Sequence, residues 1–222
     1  MSIENNNSQH SVVTRIQCGN VNCFLVTCGE NSILVDASKE GYKDKIIEAC
    51  KGHNIRLIVL THGHFDHAQN AAFLSNHFNA PIAMHELDVP LIDDNLLQPL
   101  YAHTITGKVV LYASIKSMKN EKIEKFTPSV LLKEGDNLSE YGIPATVVEL
   151  PGHTNGSIGI MVDGNGKEFI VGDALMHMIG SAGRSLLYTN REQMDESCHK
   201  ISKSGANIIH FGHGSSTENK DW

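Results

Sequence analysis

Six consecutive residues, His62-Gly63-His64-Phe65-Asp66-His67, hold four side chains that bind transition metals. Three more such side chains follow at long range, each beside glycine: His153 in Pro151-Gly152-His153-Thr154, Asp173 in Gly172-Asp173, and His213 in Gly212-His213-Gly214. Imidazole and carboxylate are ligands that zinc, iron and manganese all accept, so the residue types point to metal without choosing one. A single ion takes about three or four protein ligands; seven suffice for two ions. Paired divalent ions lower the pKa of a bound water toward neutrality, which makes a hydroxide nucleophile available for attack on an acyl or phosphoryl centre. No phosphate-cradling glycine loop is present.

The elements that must position these groups are legible in the hydrophobic pattern. Residues i and i+2 share a side of an extended chain but face apart on a helix. His62, His64 and Asp66 can therefore converge only if the segment after Leu60 is a strand end or loop, with Gly63 permitting a sharp path. Asp66 is placed to cap a helix beginning near His67. Leu57-Ile58-Val59-Leu60 is a short apolar run of the kind found in strands buried on both faces. Strands are expected at 12–17, 22–28, 32–36, 57–60 and 81–84, then at 129–132, 145–150, 157–163, 167–171 and 207–211. Helices are expected at 42–51, 68–78 and 191–203. Positions 62, 153, 173 and 213 all fall just after strands, where α/β proteins place their chemistry.

The stretch 86–127 interrupts this rhythm. Leu96, Leu97, Leu100 and Tyr101 are apolar, and Leu111, Ile115 and Met118 recur at helical spacing between Lys108, Lys116 and Lys119. It reads as a helical insertion that serves as ordinary packing, a substrate lid or a homodimer surface.

Length and composition bound the rest. A chain of 222 residues with 41% hydrophobic content builds one domain, 12–222, after a disordered polar tail at 1–11. Net charge is −7 and the basic residues are scattered, which excludes a nucleic-acid footprint. No signal-peptide core or membrane-length apolar run is found, so the default expectation is a cytoplasmic protein with no membrane partner. Cys18, Cys23 and Cys28, five residues apart, fit no zinc-ribbon spacing and read as reduced thiols packed near the first strands.

Taken in order, Thr61 with His62-Gly63-His64-Phe65-Asp66-His67, Pro151-Gly152-His153-Thr154, Gly172-Asp173 and Gly212-His213-Gly214 resemble the motifs of the metallo-β-lactamase superfamily, from about residue 12 to 216. The resemblance implies an αββα four-layer sandwich with the site at one edge. It implies that His62, His64 and His153 hold one ion, that Asp66, His67 and His213 hold the other, and that Asp173 bridges them. Two divalent ions are expected, zinc first, with iron or manganese as alternatives. Asp66 is the candidate catalytic proton carrier. The implied activity is hydrolysis of an ester, thioester or lactone, with an amide as a further candidate, in a small-molecule substrate. Asp173 stands where zinc β-lactamases usually lack an aspartate, which favours the glyoxalase II-like side of the family. That branch carries a helical domain after the last histidine, whereas only Ser215 to Trp222 follow Gly214, which weighs against glutathione thioesters. Similar lactonases place a tyrosine three residues after the bridging aspartate; Met176 stands there, with His177 and Tyr188 as candidate substrate contacts in its stead. Two alternatives stand beside hydrolysis: an iron persulfide dioxygenase with a single metal, and a non-catalytic metal-binding module.

Overall fold

The computed structural model describes residues 10–178 and 180–222. Two sheets stack face to face and helices cover both outer surfaces. The first sheet contains β1 (Val12–Cys18), β2 (Val21–Cys28), β3 (Asn31–Val35), β4 (Asn54–Val59), β5 (Ile82–Met84) and β6 (Val130–Leu131), in that order. Helices α1 (Lys43–Ala49), α2 (Phe65–Ala68), α3 (Ala71–Phe78) and α4 (Ile105–Asn120) lie between its strands in sequence. The second sheet is built from β7 (Ala145–Glu149), β8 (Ile158–Gly164), β9 (Gly166–Ile170), β12 (Ile208–His210) and β13 (Thr217–Glu218), ordered β13-β12-β9-β8-β7. A two-stranded ribbon, β10 (Leu175–Met176) with β11 (Gly183–Arg184), and helix α5 (Arg191–Ser202) complete it.

Alternation along the strands explains the layering. In β2, Cys23 and Leu25 face the helices, while Phe24 and Val26 face the other sheet. In β4, Leu57 and Val59 join the inter-sheet core, and Ile58 packs outward against Ile46 of α1 and Leu74 of α3. The inter-sheet core also takes Val147, Ile160 and Ile170 from the second sheet, whose outer face buries Phe169 against Met194, Cys198 and Ile201. Burial on both faces is why these strands read as continuous apolar runs. Each fully buried side chain of this kind stabilises by about 1.5–3 kcal/mol.

Topology brings the strand ends together. β3, β4 and β5 run parallel. β9 and β12 are parallel, and β7 shares their direction because both β7 and β9 are antiparallel to β8. The segments leaving β4, β7, β9 and β12 carry His62, His153, Asp173 and His213, and they meet at one edge. Two bonds lock the sheets there: Ile158 N–H donates to the Thr61 carbonyl at 2.8 Å, and Asn22 N–H to the Gly212 carbonyl at 2.8 Å.

Several expectations shift. The expected strand 57–60 starts earlier, at Asn54. The expected helix 68–78 divides into α2 and α3 because the buried Asn70 turns its side chain onto the carbonyls of Ala37 and Lys39 at 2.9 and 2.6 Å. Asp66 does not cap a helix: α2 begins at Phe65, with His64 as its N-cap residue, and Asp66 lies in the first turn. Most of the expected tail, 1–11, lies outside the described residues, but Ser11 is buried and bridged to Gly164. Cys18, Cys23, Cys50 and Cys198 are free and buried; Cys28 is half-buried. No helix of the described residues is long and apolar enough to cross a membrane.

Candidate metal centre

All seven sequence-identified ligand candidates come together at the shared edge. Donor atoms of His62, His64 and His153 form one cluster within 4.8 Å, those of Asp66, His67 and His213 a second, and His62, His67 and Asp173 a third that joins the two. Asp173 touches both sides: Oδ1 is 3.4 Å from His67 Nε2, while Oδ2 lies 3.2 Å from His213 Nε2 and 3.6 Å from His153 Nε2. His64 Nδ1 and His153 Nε2 face each other at 3.0 Å.

The rings are held from behind. His67 Nδ1 donates to Asp36 Oδ2 at 2.9 Å, His153 Nδ1 to the Leu187 carbonyl at 2.9 Å, and His213 Nδ1 to the Asn20 carbonyl at 2.6 Å; His62 Nδ1 meets Thr61 Oγ1 at 3.1 Å. Fixing one ring nitrogen in this way fixes which nitrogen is offered to a ligand. Four atoms of the cluster, His62 Nε2, His64 Nε2, His67 Nε2 and Asp173 Oδ1, are buried and make no hydrogen bond, the last two facing each other at 3.4 Å. Leaving buried polar atoms unpaired costs about 1–3 kcal/mol each. A cluster of them with metal-ligand chemistry fits a cationic occupant. Gly212 belongs to the same fit, since a Cβ there would overlap Asp173 Oδ1 and lie 2.8 Å from His67 Cε1.

Protonation divides the site. Burial, reinforced by neighbouring imidazoles, pushes His62 and His64 well below the usual histidine range, so both are neutral and ready to ligate. His67 is also fully buried, which opposes its charge, but Asp173, Asp36 and Asp66 outweigh burial and raise it to about 10. Burial likewise opposes a charge on His213, and Asp173 raises it. Asp173 resists ionisation through burial, yet the charges of His213 and His67 hold it well below the usual carboxylate range. Without metal the carboxylates thus favour a proton on His67 and bias His213 the same way, and ion binding competes with that protonation.

Two carboxylates that sequence reasoning passed over organise the ligand loops. Asp36, at a left-handed φ of 64°, accepts from Thr61 N–H at 2.8 Å, from Thr61 Oγ1 at 3.0 Å and from His67. Asp88, fully buried, joins the His64 loop to the His153 loop: it accepts from Gly63 N–H (3.0 Å), Thr154 Oγ1 (2.6 Å), Gly156 N–H (2.8 Å) and Gln98 Nε2 (3.1 Å). Asp36 ends the apolar run Ile33-Leu34-Val35, a signal that was available; Asp88 had none.

A cavity of about 340 Å³ opens over the ligands. Its walls are largely apolar: Phe65, Leu100, Met176 and Leu187, with Val109, Val110, Ala113 and Met118 of α4. The insertion therefore does wall the site, but with a different face from the one expected. Of Leu111, Ile115 and Met118, only Met118 reaches the cavity. The two residues proposed as substrate contacts are elsewhere. His177 sets its ring nitrogens against the carbonyls of Ser215 (3.0 Å) and Gly180 (3.2 Å), and Tyr188 bridges Tyr101; neither lines the cavity.

Comparisons agree with this architecture. The family model described as the metallo-beta-lactamase superfamily matches residues 16–213. Hydroxyacylglutathione hydrolase 1 of Vibrio vulnificus is 31% identical over 195 residues, covering 84% of this chain and 62% of that enzyme. A probable metallo-hydrolase of Methanocaldococcus jannaschii is 27% identical over 157 residues, covering 69% of this chain and 66% of the relative. Among solved structures, TTHA1623 in a di-iron-bound form superposes with a TM-score of 0.65 at 27% identity, covering 93% of this chain and 94% of that one. Motifs, sandwich and ligand cluster together place the chain in the metallo-β-lactamase superfamily.

Proposed function

We propose that this protein is a dinuclear metal-dependent hydrolase that cleaves an ester, thioester or lactone of a small molecule. The observation that carries the reading is the group of buried ligand atoms without hydrogen bonds around Asp173, which lies against histidines of both clusters. His62, His64 and His153 would hold one ion, Asp66, His67 and His213 the other, with Asp173 between them. Bound divalent ions lower the pKa of the water they hold and polarise an acyl oxygen. The chain supplies the rest. Asp36, Leu187 and Asn20 hold the imidazoles in the orientation that offers Nε2 inward. The apolar cavity walls would shield one side of the acyl group from bulk water. Asp66 lies at the cavity wall, with Oδ2 3.6 Å from His213 Nε2, and is placed to carry the proton lost by water to the leaving oxygen or sulfur as the acyl bond breaks. The named hydrolases among the relatives and the di-iron form of TTHA1623 support a metal-dependent reaction and leave open zinc or iron.

Elemental analysis of protein purified without chelator tests the stoichiometry, with close to two transition-metal ions per chain expected. One ion under metal-replete conditions would favour the mononuclear oxygenase, which consumption of oxygen with a thiol persulfide would confirm. Asp173→Ala removes a group shared by both clusters, so hydrolysis of S-hexanoyl thioesters should fall by at least about a hundredfold, with the circular dichroism of the fold retained. Unchanged turnover would mean that Asp173 does not bridge.

A further inference from the structure

The cavity carries one charge that the metal centre does not use. Of the described residues lining it, Lys39 is the only lysine or arginine, and the two carboxylates, Asp66 and Asp173, both belong to the ligand clusters. Lys39 is not neutralised: Nζ donates to the neutral amide oxygen of Asn20 at 2.9 Å, and no carboxylate of the described residues forms an ion pair with it. Its backbone is anchored. The buried Asn70 donates to the Lys39 carbonyl at 2.6 Å and to the Ala37 carbonyl at 2.9 Å, and Ala37 N–H donates to the His67 carbonyl at 2.7 Å. The ammonium is thus presented on a stem tied to the ligand helix.

The cavity has two unlike ends, each attached to a different histidine. At one, Leu187, whose carbonyl holds His153, lies with Leu100 and the first turns of α4; both leucines line the cavity, on the two segments joined by the antiparallel Tyr101–Tyr188 bridge. At the other, Asn20, whose carbonyl holds His213, positions the Lys39 ammonium. Those histidines belong to different ligand clusters. An acyl carbon set between the clusters would have an apolar surface on one side and an unpaired cation on the other. In a chain of net charge −7 an unpaired cation in a largely apolar cavity is a selective feature, because a partly desolvated ammonium gains most from an opposite charge.

We propose that Lys39 is a specificity-determining residue: the cavity takes acyl substrates with an apolar acyl arm and a negatively charged leaving part, the arm against Leu100, Leu187 and α4 and the charge on Lys39. The proposal rests on the hydrolase reading for its chemistry, though not for its binding geometry.

A matched pair of thioesters tests it: S-hexanoyl-3-mercaptopropionate, which is anionic, and its neutral primary amide, with thiol release followed on the two-metal protein. The parent protein should prefer the carboxylate by tenfold or more in kcat/KM, chiefly through KM. Lys39→Met should abolish the preference, and Lys39→Arg, which keeps the charge, should restore it. The non-hydrolysable thioether S-hexyl-3-mercaptopropionate gives a readout independent of turnover: calorimetric binding should weaken by a similar factor in Lys39→Met and recover in Lys39→Arg. Equal use of both thioesters by the parent, or a preference and thioether affinity that survive Lys39→Met, would overturn the proposal. If neither thioester is cleaved while the thioether still binds in a Lys39-dependent way, the hydrolase reading fails and the anion subsite stands.

Discussion

Asp36 and Asp88 show how much of a metal site is made by residues that never face the metal. Each is a buried carboxylate whose oxygens are filled by donors from the ligand loops. Asp36 sets the ring of His67, and Asp88 fastens the turn at Gly63 to the turn at Gly156. Removing Asp88 leaves two backbone N–H groups, a hydroxyl and an amide short of a buried partner. At about 1–3 kcal/mol for each such group, Asp88→Ala should destabilise the fold by at least about 3 kcal/mol, measurable by denaturant titration. Asp88→Asn keeps the volume but turns an NH₂ toward two of the same donors. Metal affinity of that variant should fall about 10–100-fold in a competition titration with a chelator; an unchanged affinity would show that Asp88 supports the fold without setting the ligand loops. His62, His64 and Asp66 were legible because histidine and aspartate at i, i+2, i+4 after a buried strand have few other uses, and His153, Asp173 and His213 because each stands beside glycine just after a strand. Asp88 was not, because an aspartate accepting backbone N–H groups looks in sequence like any loop aspartate.

At the scale of elements, α4 interrupts the strand rhythm of the sequence and supplies one wall of the cavity. Its helical period was plain, but the direction of its faces was not. The apolar positions 111, 115 and 118 suggested one stripe, whereas the cavity side presents Val109, Val110, Ala113, Ser114, Ser117 and Met118. Meanwhile Ile105 and Tyr112 remain 86% and 75% exposed, so apolarity on this helix does not mark a single buried face. The strands were easier: burial on both sides makes them uniformly apolar, and the topology of strand ends follows from their parallel order. Because Ala113 lines the cavity with only a methyl group, Ala113→Trp should fill it. Turnover of S-hexanoyl thioesters should then drop by tenfold or more relative to S-acetyl ones, an effect of order 1.4 kcal/mol. Met118 both lines the cavity and packs on the helix-side core. Met118→Ala should therefore cost about 2–3 kcal/mol in stability as well as activity, while Tyr112→Ser should change stability by less than about 0.5 kcal/mol. Equal acyl-length profiles in parent and Ala113→Trp would remove α4 from the substrate wall.

Over the whole molecule, the ligand clusters are distributed in a way that would give a bound metal a structural role. His62, His64, Asp66 and His67 all leave the first sheet after β4; His153, Asp173 and His213 leave the second, after β7, β9 and β12. Each cluster of the proposed pair takes members from both sheets, so each ion would bind only when the sheets are docked. Without metal the edge still buries imidazole nitrogens that have no hydrogen-bond partner, a cost that bound ions would relieve, while the carboxylates that raise His67 and His213 offset part of it. A ligand bound only by the folded state stabilises it by about 4 kcal/mol at a thousand times its Kd. For a chain of this size each kcal/mol moves Tm by about 2–4 °C. Chelator-treated protein should therefore melt about 8–16 °C below protein loaded at one such site, and further below when both are filled. His153→Ala, on the second sheet, should lower the metal-free Tm through the lost bond to the Leu187 carbonyl and, measured from that lower baseline, lose much of the metal-dependent shift. Differential scanning calorimetry with and without added metal checks both. A Tm indifferent to metal in the parent would mean that the clusters do not fasten one sheet to the other.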